Sequence, residues 1–476
     1  MVCLWCVLVL LTLLPASQST DAGVKVRLTQ KALEYGQNIG ITYLQQKLGT
    51  IKVPDISGSE SVFPIGEVQY RVTGMQIVSL GLPQSAVGLV PGTAVSFSIG
   101  NAFINMHGNW RVKYSNFIKD SGSFDLSVND LTISTSIAIR SDETGRPAVN
   151  SAGCSATVGN TKIKLHSGAS WLYNLFSFFT DKILGKALER QICPLVVETI
   201  VEMNHYLKSL NVLAEVDEYA EIEYPMVASP VISKSSIDFS LMGEFHSTGQ
   251  HHWSAAPFSP TAFSLPPQDS NMLYIGLSAF TVNSAAFVYH TAGALSLYIT
   301  DDLIPPSIPI RLSTITFGAF IPQIAKMYPG LMMKLHMKTA KVPIITFQPN
   351  NVTVQASSTV TAYAIQPNAT LSPLFVLNLD ASVSARIYVT GLKVAGSVTL
   401  NSIDITLGTS YVGPFQVKSL DNIFVMVLKV AVLPMVNAYF EKGYPLPAIG
   451  EIDLINTQLQ VLKDYMLLGT DLKFSR

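Results

Sequence analysis

The sequence predicts an α+β protein of two similar domains, each a twisted sheet with helices laid against it. Three observations point there. Runs of alternating apolar and polar residues, the period of a half-buried strand, fill most of the chain. Helical spacing interrupts them in both halves, and a proline-punctuated stretch lies between. At 476 residues the chain also exceeds what one hydrophobic core usually organises. With 13% charged and 48% hydrophobic residues it is too apolar for disorder. A net charge of -1 excludes global attraction to nucleic acid, so any anion binding must be local.

The chain opens "MVCLWCVLVLLTLLPASQST", an apolar run from Val2 to Leu14 followed by Pro15 and small or polar residues. It reads as a signal peptide over residues 1–19, without the usual cation before the run, and places the protein outside the cell. Cys3 and Cys6 leave with it, and Cys154 and Cys193 remain as one disulfide. No CxxC spacing or nearby histidine pair supports a reactive thiol or metal site instead. Sequons at Asn351 and Asn368 mark N-glycosylation sites.

The first helix is read from the stripe Leu28, Ala32, Gly36, Ile39, Tyr43, Leu44 and Leu48. Strands follow in "VQYRVTGMQIVSL", "GSFDLSVNDLTISTSIAI" and "ATVGNTKIKLH". Between them lies "AVSFSIGNAFINMHGNWRVKY", residues 94–114. Val95, Phe97 and Ile99 alternate with Ser96 and Ser98; after His107-Gly108-Asn109, Trp110, Val112 and Tyr114 alternate with Arg111 and Lys113. The interruption is a turn or a bulge within one long strand. A second helical stretch, Ala169 to Leu210, presents Leu172, Phe176, Phe179, Ile183 and Ala187 on one face, and Pro194 is predicted to bend or break it.

Pro225, Pro230, Pro257, Pro260, Pro266 and Pro267 punctuate the connector, though "SIDFSLMGEF" inside it reads as a strand. The second half repeats the grammar, with strands in "MLYIGLSAFTVNSAAFVYH", "ALSLYIT" and "FVLNLDASVSARIYVTGLKVAGSVTL". Its helices are read near "PQIAKMY" and in "VKSLDNIFVMVLKVAVLPMVNAYFEKG". "GSFDLSVNDLTIS" from Gly122 pairs with "GSVTLNSIDITLG" from Gly396 as a candidate repeat. The domains are set as an N-terminal domain over 20–245, a Pro-rich linker over 246–268 and a C-terminal domain over 269–476.

Catalytic signatures are missing: there is no GxSxG, Walker loop, HExxH or paired CxxC, so no enzyme is expected. His246, His251 and His252 with Glu244 read as solvated or structural, Asp301-Asp302 as a turn or acidic corner, and no metal site is expected. The helices "NIFVMVLKVAVLPMV" and "SWLYNLFSFF" are apolar nearly all round but fall short of about 20 apolar residues. They read either as core packing or as walls of a lipid slot.

Six segments carry a resemblance in order: "VKVRLTQKALEYG", "GLVPGTAVSFSIGNAFINMHGNWRVKY", "SGSFDLSVNDLTIS", "GEFHSTGQHHWSAAPFSP", "LIPPSIPIRLSTITFGAFIPQIAKMYPG" and "VLPMVNAYFEKGYPLP". They resemble the family of bactericidal/permeability-increasing protein and lipopolysaccharide-binding protein, with the phospholipid and cholesteryl ester transfer proteins as relatives. The resemblance implies an elongated two-domain boomerang. Each domain would be a highly twisted antiparallel barrel-like sheet with two packed helices, the domains joined by a central sheet, each holding phospholipid in an apolar pocket. Leu44, Leu172, Phe176 and Phe179 are the acyl contacts implied in the N-terminal pocket, and Phe320, Ile324, Phe424 and Leu428 in the C-terminal one. Cys154 and Cys193 match the family's disulfide, which ties a strand to the long helix.

The family's antibacterial members meet lipid A phosphates with cations at the N-terminal tip. The matching residues here are Lys47, Lys52, Arg111, Lys113, Lys119, Lys162 and Lys164, with Trp110 at headgroup level; strand 94–114 would run on to a loop from Ser115 to Gly122. Gln45, Gly49, Met106, Asn109 and Asn116 are neutral where those members are basic, and Glu60 and Asp120 add opposing charge. The implied function is that of a secreted or granule-stored innate-immune protein which binds lipopolysaccharide, phospholipid and the bacterial outer-membrane surface. It would act as a monomer without cofactor and hand lipid to a host receptor. The alternative is a phospholipid carrier without endotoxin preference.

Overall fold

Alternation becomes long antiparallel strands in the computed structural model, which describes residues 21–474 apart from Pro64, 115–117, 169–171, 173–174, 176–184, 249–255, 391–392 and 446–451. The chain divides into two units. The first is Leu28–Leu210 with Ser229–Phe239; the second is Met1–Arg27, Asn211–Ala228 and Ser240–Arg476.

In the first unit, helix α1 (Gln30–Gly49) precedes strands β1 (Ile56–Val62), β2 (Gly66–Gly81), β3 (Gln84–Val90), β4 (Ala94–Tyr114), β5 (Ile118–Ser141), β6 (Pro147–Thr157) and β7 (Asn160–Leu165), followed by α2 (Gly185–Lys208). The sheet runs β1-β2-β4-β5-β6, with β3 on the early part of β4 and β7 on β5. Among the described residues no ladder joins β1 to β6, so this twisted sheet is open. α2 buries Leu188, Ile192, Val196 and Ile200, every fourth residue, against a sheet face carrying Val68, Val72, Ile104, Met106, Leu126 and Val128.

Several expectations change here. α2 runs through Pro194 without ending. The residue is exposed, so solvent can reach the carbonyl that its missing N–H leaves unpaired. Ile39 and Tyr43 of the predicted α1 stripe are exposed, while Leu44 and Leu48 turn in. Strand β4 passes unbroken through His107-Gly108-Asn109; its irregularity lies at Asn101, which has a φ of 52° where the β4–β5 register shifts. β5 begins at Ile118, so the expected loop to Gly122 is largely strand.

The second unit repeats the order. Helix α3 (Ala279–Thr291) leads to β8 (Ser296–Ile299), α4 (Thr314–Gly318), α5 (Pro322–Met327), β9 (Met333–Thr339), β10 (Ile344–Gln348), β11 (Asn351–Ile365), β12 (Leu371–Thr390) and β13 (Lys393–Ser410). α6 (Asp421–Val427) then continues through one π-turn, Leu428–Val432, into α7 (Leu433–Glu441). The wide turn lies just before Pro434, whose ring would clash with a regular helical carbonyl. The sheet runs β8-β9-β11-β12-β13 with β10 on β11, the same order as β1-β2-β4-β5-β6 with β3 on β4; the two differ in their last strand, which is β7 on β5 in the first unit and Tyr444–Pro445 on β13 in the second. That match corrects the sequence repeat: Gly122 lies on β5, whose counterpart is β12, whereas Gly396 lies on β13. "AFTVNSAAFVYH", read as strand, is the helix α3; it buries Phe280, Thr281, Ser284 and Val288 at helical spacing.

Each unit fastens helix to sheet by the same device. Asn204 of α2 accepts from Val149 N at 2.8 Å and donates to Val149 O at 2.8 Å. Asn437 of α7 does so with Val398 at 2.7 and 3.2 Å, and Asn283 of α3 with Ile345 at 2.8 and 2.8 Å. The first unit adds the disulfide between Cys154 on β6 and Cys193 on α2.

Candidate functional site

Strand parity sorts β4 into two faces. Ile104, Met106, Gly108, Trp110 and Val112 turn into the core, while His107, Asn109 and Arg111 are exposed and Lys113 is half-buried. Register then aligns the outer residues of neighbouring strands into rows. Gln69, Lys113 and Lys119 form one; Arg71, Arg111 and Ser121 the next. Further along lie Gln76, His107, Asp125 and Lys164, then Ser79, Asn105, Ser127 and Lys162. Arg111, Lys113, Lys119, Lys162 and Lys164 thus share one face of the sheet, and Arg71, which sequence reasoning missed, joins them.

Two like-charged pairs stand directly opposite, Arg71 with Arg111 and Lys113 with Lys119. Such pairs cost a sheet about 0.2–1 kcal/mol each unless something negative lies over them. Asp55 Oδ2 lies 3.6 Å from Arg71 Nη2, with both side chains well exposed. Among the described residues the other five make no ion pair within 4.0 Å. Glu60 and Asp120 pair in register with Val68 and Val112, which face the core, so parity turns both acids to the other side of the sheet.

Three predicted tip residues sit differently. Lys47 donates to Glu202 Oε1 at 2.9 Å; this hydrogen bond raises the lysine's pKa and lowers the carboxylate's. Lys52 is exposed between buried Ile51 and Val53, before the sheet begins. Trp110 is 1% exposed, which removes it from any headgroup contact. The cause is a pair of glycines: a Cβ on Gly122, its register partner, or on Gly168 would come within 3.0 or 2.9 Å of the indole. The ring lies over the space they leave, and Nε1 donates to Ser123 O at 3.3 Å. Trp110→Phe should therefore cost about 1–2 kcal/mol in a urea titration, from a lost hydrogen bond and lost contacts. It should leave affinity for anionic lipid unchanged.

The exposed apolar residues at this end of the sheet are others. Phe63, in the β1–β2 turn, is 97% exposed, and Ile118, which opens β5 at the same end on the parity opposite to Lys119, is exposed too. Sequence offered a signal for the first, an apolar residue ahead of Pro64-Ile65-Gly66.

Of the predicted acyl contacts, Leu44 and Leu172 lie in the first unit's core, and Phe176 and Phe179 lie outside the described residues. Ile324, Phe424 and Leu428 lie in the second unit's core. Phe320 is 44% exposed, a correction: the chain turns after α4, and Phe317 takes the inward place, its ring 6.2 Å from those of Phe424 and Phe375. The helix Val417–Glu441 is long and apolar enough to cross a membrane by length and composition, yet it gives Phe424, Val427 and Leu428 to this core. A recess of about 360 Å³ opens elsewhere, among Gln84, Ser98, Ile99, Thr132, Ile133 and Ser134.

Other sequence candidates have structural roles. Cys154 and Cys193 are bonded, and Asn351 and Asn368 are exposed. Asp301 accepts from Leu312 N at 2.8 Å, which fixes a loop. His246 is buried 3.5 Å from Glu223, and His251 and His252 lie outside the described residues.

Comparison with known proteins agrees with this architecture. The model of the N-terminal domain of the LBP / BPI / CETP family matches residues 32–208, and that of its C-terminal domain matches residues 214–474. A bactericidal permeability-increasing protein of Sebastes schlegelii is 66% identical over 472 residues, covering 99% of both chains. Human lipopolysaccharide-binding protein is 31% identical over 469 residues, covering 98% of this chain and 97% of its own. A crystal structure of lipopolysaccharide binding protein matches with a TM-score of 0.65 at 31% identity, covering 96% of this chain and 100% of that one. With two domain models that together span most of its length, the chain belongs to the LBP / BPI / CETP family.

Proposed function

We propose that this chain is a secreted, non-enzymatic lipid-binding protein of innate immunity. Its first unit binds the phosphates of lipopolysaccharide through the cationic face of β2, β4, β5 and β7, and apolar pockets in both units hold phospholipid. The carrying observation is the pair of like-charged cross-strand neighbours, Arg71–Arg111 and Lys113–Lys119, left facing solvent at a cost to the fold. An array of phosphates over the face relieves that repulsion. Phe63 and Ile118 take the part expected of Trp110, entering the acyl boundary at the end of the sheet that carries Lys113 and Lys119. The names of the relatives, bactericidal and lipopolysaccharide-binding, support the same reading.

Magnitudes divide the labour. Each cation at an anionic surface adds about 1 kcal/mol and is screened by salt. A 14-carbon acyl chain gains roughly 10 kcal/mol on burial. Retention therefore belongs to the pockets and selection to the face.

Two measurements test this. Binding to lipopolysaccharide across a salt series should weaken steeply as salt rises; a flat series would remove the face from the reading. Native mass spectrometry of the purified protein should release phospholipid, and its absence would remove the pockets. Vesicle-to-vesicle transfer without endotoxin preference would favour a phospholipid carrier.

A further inference from the structure

On the row shared with Lys164, three strands bring metal-ligating atoms together. His107 on β4 and Asp125 on β5 are register partners, and His166, just past β7, is held by its N–H donating to Ser123 O at 3.0 Å. His107 Nδ1 lies 2.8 Å from Asp125 Oδ1, and His166 Nε2 lies 2.8 Å from Asp125 Oδ2. The ring centroids are 6.2 Å apart, inclined by 39°, and the three ligand atoms all lie within 4.8 Å of one another.

We propose that His107, Asp125 and His166 bind one divalent transition-metal ion, with zinc the best fit. Two imidazole nitrogens and one carboxylate oxygen make a borderline-soft set that suits zinc, and a fourth, open position falls to water. Zinc–ligand bonds of about 2.0–2.2 Å in a tetrahedron need donor atoms about 3.3 Å apart. Both histidine–aspartate separations are already of that order. Bringing the two ring nitrogens together takes only rotation of exposed side chains on a backbone fixed by ladder bonds.

An N–H on His107 Nδ1 and one on His166 Nε2 would each point at the carboxylate across these short contacts. The ion takes the place of those two bridging protons, which move to His107 Nε2 and His166 Nδ1, so no proton need leave the site. Lys164, opposite Asp125 in register, opposes the added charge and keeps the affinity modest. The site stands independently of the lipid reading, because its ligands and its test do not involve lipid.

The test is calorimetric titration of the mature chain with zinc chloride in phosphate-free buffer. One ion per chain is expected, with affinity falling at least tenfold in His166→Ala and in Asp125→Asn. The double variant His251→Ala/His252→Ala should bind as the parent does. Cobalt in place of zinc should give the visible bands of a tetrahedral nitrogen–oxygen site, absent in His166→Ala. Unchanged folding of each variant is checked by circular dichroism, and since Asp125→Asn keeps the side-chain shape, loss of the site is separable from loss of the fold. Failure of the parent to take up zinc, or parent-like uptake by folded His166→Ala and Asp125→Asn, would overturn the proposal.

Discussion

Replacing Arg111 and Lys113 together by glutamate is expected to weaken binding to lipopolysaccharide about a thousandfold at low salt. Losing each cation forfeits about 1 kcal/mol at an anionic surface, and the new carboxylate adds a repulsion of similar size. Two such sites come to about 4 kcal/mol, or roughly three decades. The loss should shrink as salt rises, because both terms are screened over about 10 Å at 0.1 M. The variant should fold at least as stably as the parent. Arg111 faces Arg71, and Lys113 faces Lys119, so each reversal turns a like-charged pair into an opposite one. Weaker binding with undiminished stability is the signature of a face shaped for a ligand. Equal affinity and an equal salt slope in the variant would sink the assignment of this face.

Cys154→Ser with Cys193→Ser should destabilise the first unit by about 4 kcal/mol in the chain-entropy account of a loop of this length. The bond spans a sequence separation of 39 and fixes edge strand β6 to the middle of α2. Tryptophan fluorescence is a suitable probe, since Trp110 lies in the core of the same unit. With two units in the chain, the denaturant transition should be followed unit by unit rather than as a single event. A shift below about 1 kcal/mol would mean that the Asn204 clamp and the core stripe of α2 hold this helix without the covalent tie.

Much of the fold was legible because it rests on local periodicity. Strand alternation located β4 and β5 and put Arg111 and Lys113 opposite Trp110 in parity. What failed was non-local. The burial of Trp110 depends on Gly122 and Gly168, and no local pattern ties those glycines to a tryptophan. Arg71 joins the cationic face only through the register of β2 on β4. The histidine–aspartate cluster joins residues 18 and 41 positions apart in sequence, a spacing that no metal motif flags. Thr281, Val282, Phe287 and Val288 give α3 the look of a strand in sequence, yet packing makes it a helix. Phe317 rather than Phe320 packs inward because α4 ends at Gly318, a helix end that no local pattern marks.

The three asparagine clamps also bear on how the margins of these sheets are closed to other chains. Among the described residues Val149, Val398 and Ile345 each have a ladder partner on one side only, Ile139, Ala385 and Val354 respectively. Their outward N–H and C=O groups are those through which an unguarded sheet margin recruits a second chain. A carboxamide supplies one donor and one acceptor at the spacing of a peptide, so each helix imitates the missing next strand at that residue. In a chain that is 48% hydrophobic, those side chains double as guards against fibril-like stacking.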